Sequence, residues 1–213
     1  MLRLTEINEE NLVRAVKLTV GEDQKGYLDS AAGILARGYA YRASRARVIG
    51  IEKDGELIGL ALVKDLDEEP ACYDLQQFMI DRSRQGKGYG TEALRLILAE
   101  LGRERKYGCV EVCVKKEDAA ALRVYEKTGF RDTGYVDEDA PDCLNLMYFF
   151  SVGGRPEPPG AEPGRSEPFS GGEAQTWTES SPRAETTVPR ARDIRRIRMK
   201  KRRRSCAVRR NCG

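Results

Sequence analysis

The sequence predicts an α/β chain of the α+β kind, with one sheet and its helices across residues 1–150 and a tail at 151–213 with no fold of its own. Three observations predict it. Apolar runs of period two and amphipathic stretches of period near 3.6 follow one another as far as residue 150. Asp54-Gly55 stands between two alternating runs and marks a hairpin. Beyond Phe150 the chain turns to Ser151-Val152-Gly153-Gly154-Arg155-Pro156-Glu157-Pro158-Pro159-Gly160, and neither period is sustained from there on. Residues 151–213 therefore read as a disordered, basic tail rich in Pro, Gly, Ser and Arg. The first 150 residues suffice for one ordinary core.

In chain order, residues 2–7 read as a strand, 11–18 as a helix and 27–38 as a second helix. Residues 47–53 and 57–64 alternate on either side of Asp54-Gly55, a residue pair that suits the positive-φ positions of a tight hairpin. Residues 75–80 form a largely apolar strand, and 91–102 an amphipathic helix. Val112-Cys113-Val114 lies in a further short strand. Asp118 can cap the next helix, in which Ala121, Val124 and Tyr125 share a face and Gly129 falls where the helix would stop. Residues 133–137 and 143–149 are the last two strands.

Between strand 75–80 and helix 91–102 lies Gln85-Gly86-Lys87-Gly88-Tyr89-Gly90-Thr91. A glycine-rich turn opening a helix presents unpaired N–H groups at the positive end of the helix dipole. Such a turn binds phosphate, and the missing side chains let a pyrophosphate approach the backbone. Lys87 adds a positive charge. The glycines recur at every second residue, which is not the one-then-two spacing of the dinucleotide fold. Gly86-Lys87 is followed by Gly88 where a P-loop needs Ser or Thr.

Some chemistry is excluded outright. The chain has no histidine, so a Ser-His triad, a Cys-His pair or a His-bearing zinc site cannot form. Cys109 and Cys113 are separated by three residues on one strand face, which matches no CxxC metal or redox pattern. No metal is expected. Cys72, Cys109, Cys113 and Cys143 read as core packing, and Cys206 and Cys212 as exposed thiols in the tail. Residues 1–150 carry 22 Lys and Arg against 27 Asp and Glu, and the remainder 15 against 7, so the net charges are −5 and +8. The acidic body favours a cationic substrate, and nucleic acid is an expected partner only through the basic tail. No apolar run reaches membrane-spanning length and the first residues are no signal peptide, so a cytoplasmic location is expected.

The glycine turn and the Asp118 helix together resemble the GNAT acyltransferases. The first motif of that family, Gln/Arg-x-x-Gly-x-Gly/Ala, is met by Gln85, Gly88 and Gly90; the second, Asn-x-x-Ala-x-x-x-Tyr-x-x-x-Gly-Phe, is met by Ala121, Tyr125, Gly129 and Phe130. The resemblance covers roughly residues 1–150. It implies a mixed, mostly antiparallel sheet of seven strands flanked by about four helices, splayed where acetyl-CoA inserts. It also implies backbone N–H donors at Phe78, Met79 and Ile80 for the thioester carbonyl, and phosphate contacts at Gln85, Gly86, Lys87, Gly88, Tyr89, Gly90 and Thr91. Asp118 and Ala121 would meet the pantetheine arm. Tyr125 would protonate the departing thiolate; a phenol with pKa near about 10 stays protonated at neutral pH and matches that thiol.

Two positions depart from the family pattern. Asp118 replaces the motif asparagine, keeping an acceptor and losing a donor. Gln76 and Gln77 stand where polyamine-acetylating relatives often carry an acidic residue. Candidate proton acceptors are then Asp74, through water, or Glu22 or Asp23, unless the amine binds in its neutral form. The segment from Leu18 to Ser30, with Phe78-Met79-Ile80-Asp81, resembles bacterial spermine/spermidine (diamine) N-acetyltransferases. Carboxylates with aromatic neighbours suit a chain of ammonium groups, which makes Glu22, Asp23, Tyr27, Asp74 and Gln76 the candidate substrate residues. Another amine (an antibiotic, an amino acid or a protein N-terminus) fits the same motifs. So does a non-catalytic acyl-CoA-binding protein with a nucleic-acid-binding tail. The resemblance leaves a homodimer open.

Overall fold

The computed structural model describes residues 1–67 and 70–150. The tail assigned to 151–213, with Cys206 and Cys212, lies outside the described residues. Seven strands form one sheet in the order β1-β2-β3-β4-β5-β7-β6. They are β1 (Leu2–Glu6), β2 (Arg47–Lys53), β3 (Glu56–Leu66), β4 (Cys72–Ile80), β5 (Cys109–Lys115), β6 (Arg131–Asp132) and β7 (Cys143–Phe149). Four helices accompany them: α1 (Leu12–Ala15), α2 (Ala31–Ala40), α3 (Tyr89–Glu104) and α4 (Ala119–Lys127). Neighbouring strands run antiparallel except β4 and β5, which are parallel. The mixed, mostly antiparallel sheet with four helices is the expected fold class. Among the described residues no helix is long and apolar enough to cross a membrane.

Period two divides the core into two layers. Ala61 and Val63 of β3, Tyr73 and Leu75 of β4, and Val110 and Val112 of β5 face Leu94, Ile97 and Leu101 of α3 and Tyr125 of α4. Leu60 and Leu62 of β3 and Met79 of β4 point the other way, onto Ala15, Leu18, Ala31 and Ile34 around α1 and α2. Each fully buried Leu or Ile contributes about 1.5–3 kcal/mol, so these layers outweigh weak local propensities. Asp54 and Gly55 have φ of 51° and 85° and join Lys53 to Glu56, the two-residue turn that Asp-Gly signals.

Several boundaries differ from expectation, each for a visible reason. The helix expected at 11–18 is only α1, because after Val16 the chain tightens and the Lys17 and Leu18 N–H groups donate three residues back, to the Arg14 and Ala15 carbonyls. The helix expected at 27–38 starts four residues later. Gln77 Oε1 accepts the Asp29 N–H, and Ser30 then caps α2 by accepting from Gly33 N–H. The helix expected at 91–102 begins at Tyr89, with Gly88 as its N-cap. The strand expected at 133–137 is absent. Gly134 takes a positive φ of 62°, the Thr133 hydroxyl donates to the Asn145 carbonyl, and only Arg131–Asp132 pairs with β7. Cys72, Cys109 and Cys143 are buried as expected, but Cys113 is exposed. It faces the sheet side away from α3 and α4.

Two features of β4 position the site. Leu62 pairs with Gln77 while Val63 pairs with Leu75, so Gln76 is an extra residue, a bulge that bends the strand. Only Tyr73 and Asp74 pair with β5, at Val110 and Glu111. Beyond Asp74 the two parallel strands separate. From Leu75 onward the β5-facing edge of β4 thus has no strand partner, and alternate backbone N–H groups face the gap. Gly59 of β3 holds this half of β4 in place: a Cβ there would collide with the Met79 carbonyl oxygen. Gly59→Ala is expected to lower stability by about 1–3 kcal/mol, readable as a lower denaturation midpoint with an unchanged slope.

Candidate active site

The end of β4 runs into the glycine turn through a braced connection. The Asp81 carboxylate accepts from the Thr19 N–H at 2.9 Å, from the Ser83 N–H at 3.0 Å and from the Ser83 hydroxyl at 2.6 Å. Gln85 donates from Nε2 to the Ile80 carbonyl at 2.9 Å and to Gln24 Oε1 at 2.8 Å. Its side chain therefore anchors the turn to β4 and to the loop before α2. The family-derived expectation of a phosphate contact at Gln85 does not fit that side chain, because its amide is occupied. Gln24, its partner, was not legible in the sequence.

Gly86 and Gly88 have φ of 74° and 82°, a conformation that L side chains rarely adopt. A Cβ at either would meet nothing within 4 Å. No described residue accepts the N–H groups of residues 86–91. The turn thus offers backbone donors without protein partners at the start of the 16-residue helix α3. Exposed Lys87 stands on its rim, with Nζ 3.4 Å from the Ser83 carbonyl. A pyrophosphate fits this donor set in charge and in clearance. Gly90 differs, because its Cβ would make ordinary contacts with Val124 at 3.7 Å and with Ile80 and Phe78 at 3.8 and 3.9 Å. Those neighbours place α4 beside the turn. Tyr89 packs partly against the Ala93 cluster, and Thr91 is half-buried in the first turn.

Across the gap, Asp118 caps α4 by accepting the Ala121 N–H at 2.9 Å. That bond occupies both the Ala121 amide and one carboxylate oxygen. Tyr125, two turns further on, is 5% exposed and lies edge-on to Phe130 with ring centroids 5.3 Å apart. It packs in the same cluster as Leu75 of β4 and Val112 and Val114 of β5, the strands that flank the gap. Burial pushes its phenol well above the ordinary value, and the Asp118 charge adds to the effect. The expectation of a value near that of a free phenol is corrected accordingly. Phe78 is half-buried, while Met79 and Ile80 are buried on opposite faces, so their backbone is what can meet a ligand in the gap.

On the other face, where the strands part, Asp74 accepts from Gln76 Nε2 at 3.2 Å. Lys64, directly opposite on β3, brings Nζ to 3.5 Å from the Asp74 carboxylate. The same Nζ lies 5.2 Å from the centroid of the Tyr41 ring. Lys64 and Tyr41 were not singled out by sequence; only the β3–β4 register brings the lysine onto Asp74. Asp74 and Asp137 also lie near Cys113. Crowding by the protein, with Cys143 beside it, raises that thiol, although the residue keeps an exposed edge that weakens the effect. Glu22 pairs instead with Lys25 at 2.6 Å, which holds its carboxyl below the usual range. Glu22, exposed Asp23 and half-buried Tyr27 sit in and just after a short 3-10 turn, Glu22–Gln24. That loop meets β4 and its following turn through Gln77 and Gln85.

A sheet opened between two parallel strands, with a glycine turn of unpaired N–H donors beside the opening, is the frame of a transferase that takes acyl groups from coenzyme A. Comparison with known proteins agrees. The chain belongs to the acetyltransferase (GNAT) family, whose model matches residues 12–130. It is an acetyl-CoA-dependent N-acetyltransferase. It is 24% identical over 141 residues to the spermine/spermidine N(1)-acetyltransferase of Bacillus subtilis strain 168, covering 64% of this chain and 91% of that one. The crystal structure of spermidine N-acetyltransferase from Vibrio cholerae with CoA and spermine superposes with a TM-score of 0.57 at 18% identity, covering 70% of this chain and 95% of that one. Aminoglycoside acetyltransferase AAC(6')-Ib with coenzyme A and kanamycin gives a TM-score of 0.59 at 17% identity over the same shares. At these identities the structures speak for the fold.

Proposed function

We propose that this enzyme acetylates a primary amine of a polyamine or diamine such as spermidine or spermine. The observation that carries the reading is the half-buried Asp74 carboxylate, with Gln76 and the Tyr41 ring near it, where β4 and β5 part. A carboxylate beside an aromatic face suits an ammonium on an alkyl chain. The polyamine-acetylating relatives support the same substrate class.

Acetyl-CoA supplies the acetyl thioester. The N–H groups of residues 86–91 and the Lys87 charge hold its phosphates, and Asp118 and Ala121 flank its arm where α4 begins. Backbone N–H groups of Phe78, Met79 and Ile80 that face the gap stabilise negative charge developing on the carbonyl oxygen. Tyr125 gives its proton to the departing sulfur. Its raised pKa is no obstacle, since the same dry groove also raises the basicity of a thiolate formed beside it. Asp74 attracts the charged part of the substrate, the reacting amine binds in its neutral form, and Glu22, Asp23 and Tyr27 add carboxylates and an aromatic ring on the loop that meets β4 at Gln77.

The test is thiol release from acetyl-CoA by the full chain, with spermidine, a diamine, kanamycin and an alkyl monoamine offered in parallel. The reading expects the highest kcat/KM with spermidine or the diamine. Preference for kanamycin or the monoamine would overturn the substrate class and leave the family activity standing.

A further inference from the structure

The cation subsite around Asp74 already contains a cation. Lys64 Nζ stands 3.5 Å from the Asp74 carboxylate and over the Tyr41 ring, with both side chains of the pair about one-fifth exposed (19% and 21%). Gln76, the bulge residue, donates to the same carboxylate, and its own Oε1 is buried with no hydrogen-bond partner among the described residues. Buried amide oxygens are nearly always satisfied, so this one marks a place where a donor belongs. Carboxylate, aromatic face and amide oxygen are the three groups that an alkylammonium needs, and a lysine side chain is itself an alkylammonium.

Resting on the polyamine reading above, we propose that Lys64 is an intramolecular competitor for the substrate's second ammonium. The incoming ammonium takes the place of Lys64 between Asp74 and Tyr41 and also donates to Gln76 Oε1, which Lys64 leaves unsatisfied. Displacement is easy. A separation of 3.5 Å is longer than the about 2.7–2.9 Å of a strong charge-assisted hydrogen bond. The four-carbon stem lets the ammonium swing into water without moving β3. Lys64 thus sets the affinity and the selectivity for a second charge. An amine with two ammonium groups replaces the lysine and gains one further hydrogen bond. A monoamine that leaves this subsite empty gains nothing there.

The experiment is calorimetric titration of spermidine, and of an alkyl monoamine of matched length, into the full-length wild type, Lys64→Met and Lys64→Arg, with acetyl transfer measured on the same samples. Methionine keeps the stem that packs near Tyr41 and removes the charge. Lys64→Met is expected to bind spermidine about fivefold more tightly, the scale of one partly exposed ion pair. The gain should be confined to spermidine, and Lys64→Arg should retain wild-type affinity. Unaltered or weaker spermidine binding in a folded Lys64→Met would overturn the inference, as would an equal gain for the monoamine. Transfer to spermidine with unaltered affinity would sink the role of Lys64 and leave the activity standing. Tighter binding without transfer to any polyamine would sink the substrate reading and leave the subsite standing.

Discussion

Tyr125→Phe is expected to lower kcat for acetyl transfer at least about tenfold, as loss of a general acid should, with little effect on folding. The ring stays the same size, so the edge-on contact with Phe130 and the packing against Leu75 and Val112 survive. What disappears is the phenolic proton. The pH dependence follows from the sign of the shift. Burial and the Asp118 charge favour the neutral phenol, so its proton is retained beyond the pH at which a free tyrosine ionises. The wild type should therefore show no fall in kcat from this group up to about pH 10. A steady-state profile of kcat and of kcat/KM for both proteins checks this. Full activity in the phenylalanine variant would remove Tyr125 from the chemistry and leave it a core residue.

Gly88→Val is expected to raise the KM for acetyl-CoA at least about tenfold, because each charge-assisted hydrogen bond lost from phosphate is worth about 1.5–3 kcal/mol. The substitution acts in two ways. A β-branched residue is strained at a φ of 82°, so the N-cap geometry of α3 must shift. Its side chain would also fill the clear space over the row of N–H groups. Gly90→Ala is the matched control, since its Cβ would meet Val124, Ile80 and Phe78 only at ordinary distances. Two glycines of one motif thus divide into one that borders open space and one that faces packed side chains. Equal KM values for acetyl-CoA in the two variants would show that clearance at Gly88 does not govern cofactor binding.

The order of the elements and the two motif segments were legible in the sequence because their causes are local. Asp54-Gly55 makes its turn through the φ preferences of two adjacent residues. Asp118 caps α4 through a bond to Ala121, three residues on. The turn ahead of α3 follows from glycines at 86 and 88. Where local signals misled, local geometry was the cause: the chain after Val16 tightened to bonds three residues back, Ser30 capped later, and Gly134 ended a strand that alternation alone would continue. Of the candidate site, the glycine turn was legible in the sequence and the side-chain arrangement around Asp74 was not. That β4 and β5 pair at Tyr73 and Asp74 and then part, that Gln76 is a bulge, that Gln85 reaches Gln24, and that Lys64 lies on Asp74 were decided by tertiary structure. These contacts join segments far apart in the chain, and their register comes from burying two apolar faces at once. A period of two says which side chains share a face; it does not say which residue of the next strand stands opposite.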